Sequence, residues 1–138
     1  MTKRRTEKRK PGKWLYKLTR QAIYKRDNHT CYWCGKHKDD GIQLSLDHLV
    51  PWVYFGADKH TNLVTCCRKC NSKRGDKKLK QWYTVLENEY KLSSESISIL
   101  KNQIKKVRRS SDSSIQRMRD ELAGRLTMKL APGHSLAK

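Results

Sequence analysis

Two C-x-x-C pairs, Cys31–Cys34 and Cys67–Cys70, have 32 residues between them in the chain. Two residues between cysteines let both sulfurs turn toward one ion, and four thiolates suit tetrahedral zinc. Such a site constrains the fold strongly, because the whole segment between the pairs must form a unit whose ends meet. A disulfide framework is the weaker reading. There are only five cysteines, all between Cys31 and Cys70, and Lys17 and Arg20 interrupt the apolar stretch near the N-terminus, so no secretory signal is expected. A reducing, cytoplasmic setting follows, in which paired cysteines read as metal ligands. Two alternatives stay open. Cys66 can replace Cys67, leaving three residues before Cys70, and His37 lies close enough after Cys34 for a Cys-Cys-His knuckle. In the preferred set of Cys31, Cys34, Cys67 and Cys70, Cys66 belongs to the core.

Zinc held by four sulfurs has no open position, so it folds the chain and does no chemistry. The chemistry must lie elsewhere, and the charge says on what kind of molecule. Thirty-two Lys and Arg stand against thirteen Asp and Glu, a net of +19. A chain this basic attracts polyanions. That argues against an ordinary metabolic enzyme and for a nucleic acid, with a membrane surface as the lesser option. No apolar run approaches the ~18 residues of a membrane span. Residues 1–13 carry +6, residues 14–80 carry +8 and residues 81–138 carry +5, so the folded part is itself basic.

The patterning divides the chain in the same places. Residues 1–13 lack apolar periodicity, end near Pro11-Gly12 and read as a disordered basic arm. Trp14, Leu15, Leu18, Ala22 and Ile23 have helical spacing up to Arg26. Ile42, Leu44 and Leu46 alternate with Gln43, Ser45 and Asp47, a short strand that Pro51 closes, and Leu63-Val64-Thr65 reads as a second strand. The second knuckle leads into a helix through Asn71 and Lys73. Three amphipathic patterns follow. The first runs from Leu79 to Tyr90, the second from Ile97 to Val107 with Ser93 and Ser94 as caps, and the third from Ile115 to Leu126, stopped by Pro132-Gly133. The expected architecture is α+β, a small zinc-bound core at residues 14–80 with a basic helical region at 81–138.

The residues around the knuckles carry a family resemblance from about Arg20 to Lys78. Arg26-Asp27, Cys31-x-x-Cys34-Gly35, Asp47-His48-Leu49-Val50-Pro51, Asn62-Leu63-Val64 and Cys67-x-x-Cys70-Asn71 followed by Lys73 occur in an order and spacing that resemble the HNH endonucleases. These are the ββα-metal nucleases with a four-cysteine zinc site. The resemblance implies an enzyme that hydrolyses DNA phosphodiester bonds. It makes Asp47 a ligand of a catalytic divalent ion, His48 the general base, Asn62 a loop-holding residue and Asn71 the second metal ligand, an H-N-N variant. An amide oxygen suits Mg²⁺ or Mn²⁺. Stand-alone HNH proteins of this size resemble phage-encoded, homing or other mobile-element nucleases. Elementary chemistry supports the base independently, since His alone has an ordinary side-chain pKa near neutrality.

One tension accompanies these roles. Neighbouring residues on a strand point to opposite faces, so Asp47 and His48 converge on one phosphate only if the strand bends. His60 competes as a base, although an exposed loop histidine is the plainer reading. Asp58 is a further ligand option that no pattern supports. Arg68, Lys69, Lys73, Arg74 and Lys77 crowd the helix that carries Asn71 and are expected to hold the nucleic-acid backbone. Trp33, Trp52, Tyr54 and Phe55 are expected mostly to pack, with base stacking as the alternative. Lys101, Lys105, Lys106, Arg108 and Arg109 mark the C-terminal helices as either a stabilising extension or a DNA-binding appendage. The rival to the enzyme is a non-catalytic zinc-stabilised module that binds nucleic acid. Oligomeric state is open, monomer or homodimer.

Overall fold

At the centre of the computed structural model, which describes residues 3–6 and 17–130, two short antiparallel strands lead into a helix. Strand β1 (Leu44–His48) pairs with β2 (Leu63–Cys67), with Leu44 opposite Cys67 and His48 opposite Leu63. Helix α2 (Arg68–Arg74) follows β2 without a loop. Before this unit stands α1 (Lys17–Arg26), and after it come α3 (Leu79–Asn88), α4 (Ser94–Arg109) and α5 (Asp112–Leu130). The chain is therefore an α+β fold with a helical extension.

All five β2 residues are buried, because the two-stranded sheet is covered on both faces. On one face Leu46 and Leu63 pack against Ala22 and Ile23 of α1 and Ile115 of α5. On the other, Val64 and Cys66 join Trp33, Leu49, Trp82 and Leu86. A strand covered on both faces reads as a continuous apolar run, which is the pattern of Leu63 to Cys67.

The α4 stripe of Ile97, Leu100, Ile104 and Val107 packs on this second cluster. The spacing is that of an amphipathic helix, and Ser93 caps it by accepting from the Ser96 amide. Trp33, Trp82 and Tyr90 meet edge to face, with centroids 5.9 and 5.7 Å apart, a favoured aromatic geometry. Residues from both sides of position 80 share one buried cluster. The physical reason is that a two-stranded sheet exposes too much apolar surface to stand alone.

Arg26 and Asp27 tie α1 to β2. Arg26 donates to Asp27 at 2.7 Å and to the carbonyls of His60 and Leu63 at 2.8 and 2.7 Å. Asp27 in turn accepts from the Thr65 amide at 2.9 Å. Only Ser110 and Ser111 separate α4 from α5, which begins at Asp112. Residues 3–6 have no regular structure but are not loose, since the Arg5 amide donates to the Val53 carbonyl at 2.5 Å. The rest of the basic arm, Trp14 to Tyr16 and Pro132-Gly133 lie outside the described residues.

Candidate active site and metal centre

The Sγ atoms of Cys31, Cys34, Cys67 and Cys70 lie within 4.8 Å of one another. Sulfurs at tetrahedral corners around zinc, with bonds of ~2.3 Å, would stand roughly 3.8 Å apart, and Cys34 and Cys67 are 3.9 Å apart. Local structure aims the sulfurs. The first knuckle turns back through Gly35 at φ 77°, and the amides of Trp33 and Cys34 point at Cys31 Sγ, each at 3.4 Å. In the second knuckle Cys67 is the N-cap of α2, accepting from the Cys70 amide at 3.4 Å. Amide donors and a helix N-terminus both favour thiolate.

A hydroxyl from outside the knuckles completes the surroundings: Tyr90 donates to Cys70 Sγ at 3.0 Å. Both alternative ligands are elsewhere. Cys66 is fully buried in the core, and burial pushes its thiol up. The His37 Nδ1 caps the turn at residues 38–40 by accepting from the Asp39 amide.

The segment from β1 to α2 holds the remaining predicted residues. Asn62 closes the intervening loop. Its Oδ1 accepts from the Val50 amide at 2.9 Å, and its Nδ2 donates to the carbonyls of Val50 and Ala57 at 3.1 and 2.9 Å. Gly56 makes this closure possible, because a Cβ there would fall 1.7 Å from the Val50 carbonyl oxygen.

His48 and Asp47 have different partners. His48 Nε2 lies 2.6 Å from Asp58 Oδ1. Asp47 is buried, and its Oδ2 accepts from Trp33 Nε1 and from the Arg74 guanidinium, both at 2.9 Å. Burial pushes the Asp47 carboxyl up, against the pull of Arg74 and Trp33. Asn71 Nδ2 donates to Ser45 Oγ at 2.9 Å and to the Leu46 carbonyl at 3.3 Å. Ser45 and Asp47, two residues apart, share a strand face, so Asn71 is held on the Asp47 side of β1. The hydrogen bonds of Asp47 run to its Oδ2 and those of Asn71 from its Nδ2. Carboxylate and amide oxygens are the ligand types that hard divalent cations take.

The expected backbone-binding set changes at Arg74. It is 0% exposed and donates to Asp47 and to the carbonyls of His48, Leu49 and Lys77. Its position in α2 turns it to the same inner side as Cys70, so it cannot reach a nucleic acid. Arg68 and Lys69 are exposed. Lys73 pairs with Glu89 at 2.8 Å and lies over the Tyr90 ring, and Lys77 donates to the Lys73 carbonyl at 3.0 Å.

His60 also departs from expectation. It is only 5% exposed, with Nε2 2.8 Å from Asp112 and Nδ1 3.2 Å from Ser110 Oγ. It pins the turn before β2 to the α4–α5 junction, and it holds the exposed Asp112 carboxyl below its ordinary range, with Lys59 assisting. The loop aromatics are engaged by basic residues. The Arg5 guanidinium lies 4.2 Å from the Trp52 ring centroid and 5.3 Å from that of Phe55, and Lys78 lies 4.8 Å from that of Tyr54. Such contacts are cation–π pairs. Sequence reasoning gave Asp58 no support and misplaced Arg74. The short Asp58–His48 separation and the depth of Arg74 arise only once the loop closes.

Residues 31–83 match the model of the HNH endonuclease family. The match runs from the first knuckle into α3. No curated protein matches the sequence. Among solved structures, the crystal structure of the Type II-C Cas9 enzyme from Actinomyces naeslundii aligns with a TM-score of 0.46 at 19% identity, covering 85% of this chain and 12% of that one. Among the described residues, no helix is long and apolar enough to cross a membrane.

Proposed function

We propose that the protein is a metal-dependent endonuclease that hydrolyses phosphodiester bonds in DNA, with His48 as general base. The observation that carries the reading is the arrangement around His48: it ends β1 beside a loop closed by Asn62, within the segment that matches the HNH family. His48 would take the proton of the attacking water, the task for which an imidazole is the usual side chain. Asn62 does no chemistry; its three hydrogen bonds fix the loop that faces His48. Asp47 and Asn71 would hold one Mg²⁺ or Mn²⁺, which when bound would supply charge neutralisation at the phosphate and the departing oxygen. The four cysteines would hold zinc as a structural ion. Exposed Arg68, Lys69, Lys73 and Lys77 would contact flanking phosphates, and the basic face of α4 would add to them. A phage or mobile-element setting fits a nuclease of this kind.

One observation favours the rival of a non-catalytic nucleic-acid module: Asp47 already has Arg74 as its counter-charge. The two readings part in a single assay. Supercoiled plasmid is incubated with Mg²⁺ or Mn²⁺ and with wild-type or His48→Ala protein. The enzyme reading expects cutting by the wild type and a rate loss of about 10²–10⁴ in the variant, the usual worth of general-base catalysis. Equal cutting by both, or none by either on duplex or single-stranded DNA, refutes it.

A further inference from the structure

We propose that Asp58 is the positioning residue of His48, and that Asn62 bears on the reaction through Asp58; this rests on reading His48 as the general base. Asp58 Oδ1 is 2.6 Å from His48 Nε2, with the two side chains 26% and 15% exposed. A carboxylate can only accept, so Nε2 carries the proton and the lone pair of the neutral ring sits on Nδ1. The bond thus sets both the rotation of the imidazole and the nitrogen that can receive a proton. A general base oriented by a third group is a recurrent device in hydrolytic sites.

Asp58 owes its own place to the loop. Asn62 Nδ2 donates to the carbonyl of Ala57, the residue before Asp58, and to that of Val50, two residues beyond His48. The same amide therefore grips the chain near both members of the pair. Gly56 lets the two strands of the loop touch. The line runs from the Asn62 amide, through the 57–58 backbone, to the Asp58 carboxylate and the His48 ring. Asn62 touches no reacting atom, yet its loss would release the base.

The test uses the full chain loaded with zinc. Long-range ¹H–¹⁵N NMR of the His48 ring, without DNA, reads the tautomer, and plasmid cleavage with Mg²⁺ reads kcat and KM. The wild type is expected to show the Nε2–H form. Asp58→Ala should mix the tautomers and lower kcat about 10- to 100-fold, part of the ~10²–10⁴ that a general base supplies, with KM unchanged. Asp58→Asn has nearly the same shape, so a folded protein with lowered kcat assigns the loss to the carboxylate, and Asp58→Glu should recover part of it. An unchanged tautomer or a wild-type kcat in Asp58→Ala overturns the inference. If His48→Ala is inactive while Asp58→Ala cuts at the wild-type rate, the inference alone falls. If His48→Ala cuts like the wild type, the general-base reading falls and takes the inference with it.

Discussion

Arg74 shows how one residue can change role between sequence and fold. Among seven basic residues from Arg68 to Lys80 it looks like its neighbours, yet it is the one buried without exposure. Burying a guanidinium is costly unless it is paired and fully bonded. Here Asp47 supplies the charge, and three carbonyls, of His48, Leu49 and Lys77, accept three of the four other N–H donors. Arg74→Met would strand Asp47 beneath the sheet. A loss of about 3–5 kcal/mol is expected, read as a shift of the urea midpoint of the zinc-loaded protein. The double variant Asp47→Asn with Arg74→Met should be less destabilised than Arg74→Met alone, since no buried charge is left without a partner. At this scale the four cysteines were legible, because ligand spacing is written along the chain. Arg74, Asp58 and His60 were not, because their partners lie 10 to 52 residues away and meet them only on folding.

The elements were legible where periodicity was strong. Both strands and α1, α3 and α4 follow their apolar patterns, and Ser93 caps α4 as its position suggests. Less visible was what the stripes pack against. The α4 residues Ile97, Leu100, Ile104 and Val107 cover the same cluster as Trp33 and Cys66, so the helix completes the core that carries the cysteine cluster. Its basic residues occupy the outer face. Ile104→Ala therefore tests whether α4 is an appendage. A buried Ile to Ala change costs about 2–5 kcal/mol in a real core, and thermal melting should show it. A melting point equal to that of the wild type would mean that α4 is dispensable to the fold. Asp112 gives α5 an acidic first residue, and His60 reaches it from the turn before β2, so the third helix is fixed at its start.

At the scale of the whole molecule, the cysteine cluster and the helical extension are joined rather than adjacent. Tyr90, between α3 and α4, donates to Cys70 while its ring meets Trp82, which meets Trp33 inside the first knuckle. Metal binding and folding are coupled in small zinc-held domains, because the ligand set does not exist in the unfolded chain. Chelation, or Cys67→Ser, should then abolish near-ultraviolet circular dichroism from Trp33 and Trp82 and helical signal from α4 in one transition. A protein that lost its metal but kept both signals would show that the cluster is not what holds the core. The charge of +19 acts at this scale as well, since it favours the approach of polyanions, and Arg74 is buried away from the surface they would meet. Continuity of the core also bears on heredity. A recombination that moved only residues 31–83 into another chain would leave Trp33 and Trp82 without α4, whose stripe packs on the same cluster. The buried residues of the two core clusters run from α1 to the start of α5, and an exchange that kept them together would keep both clusters whole.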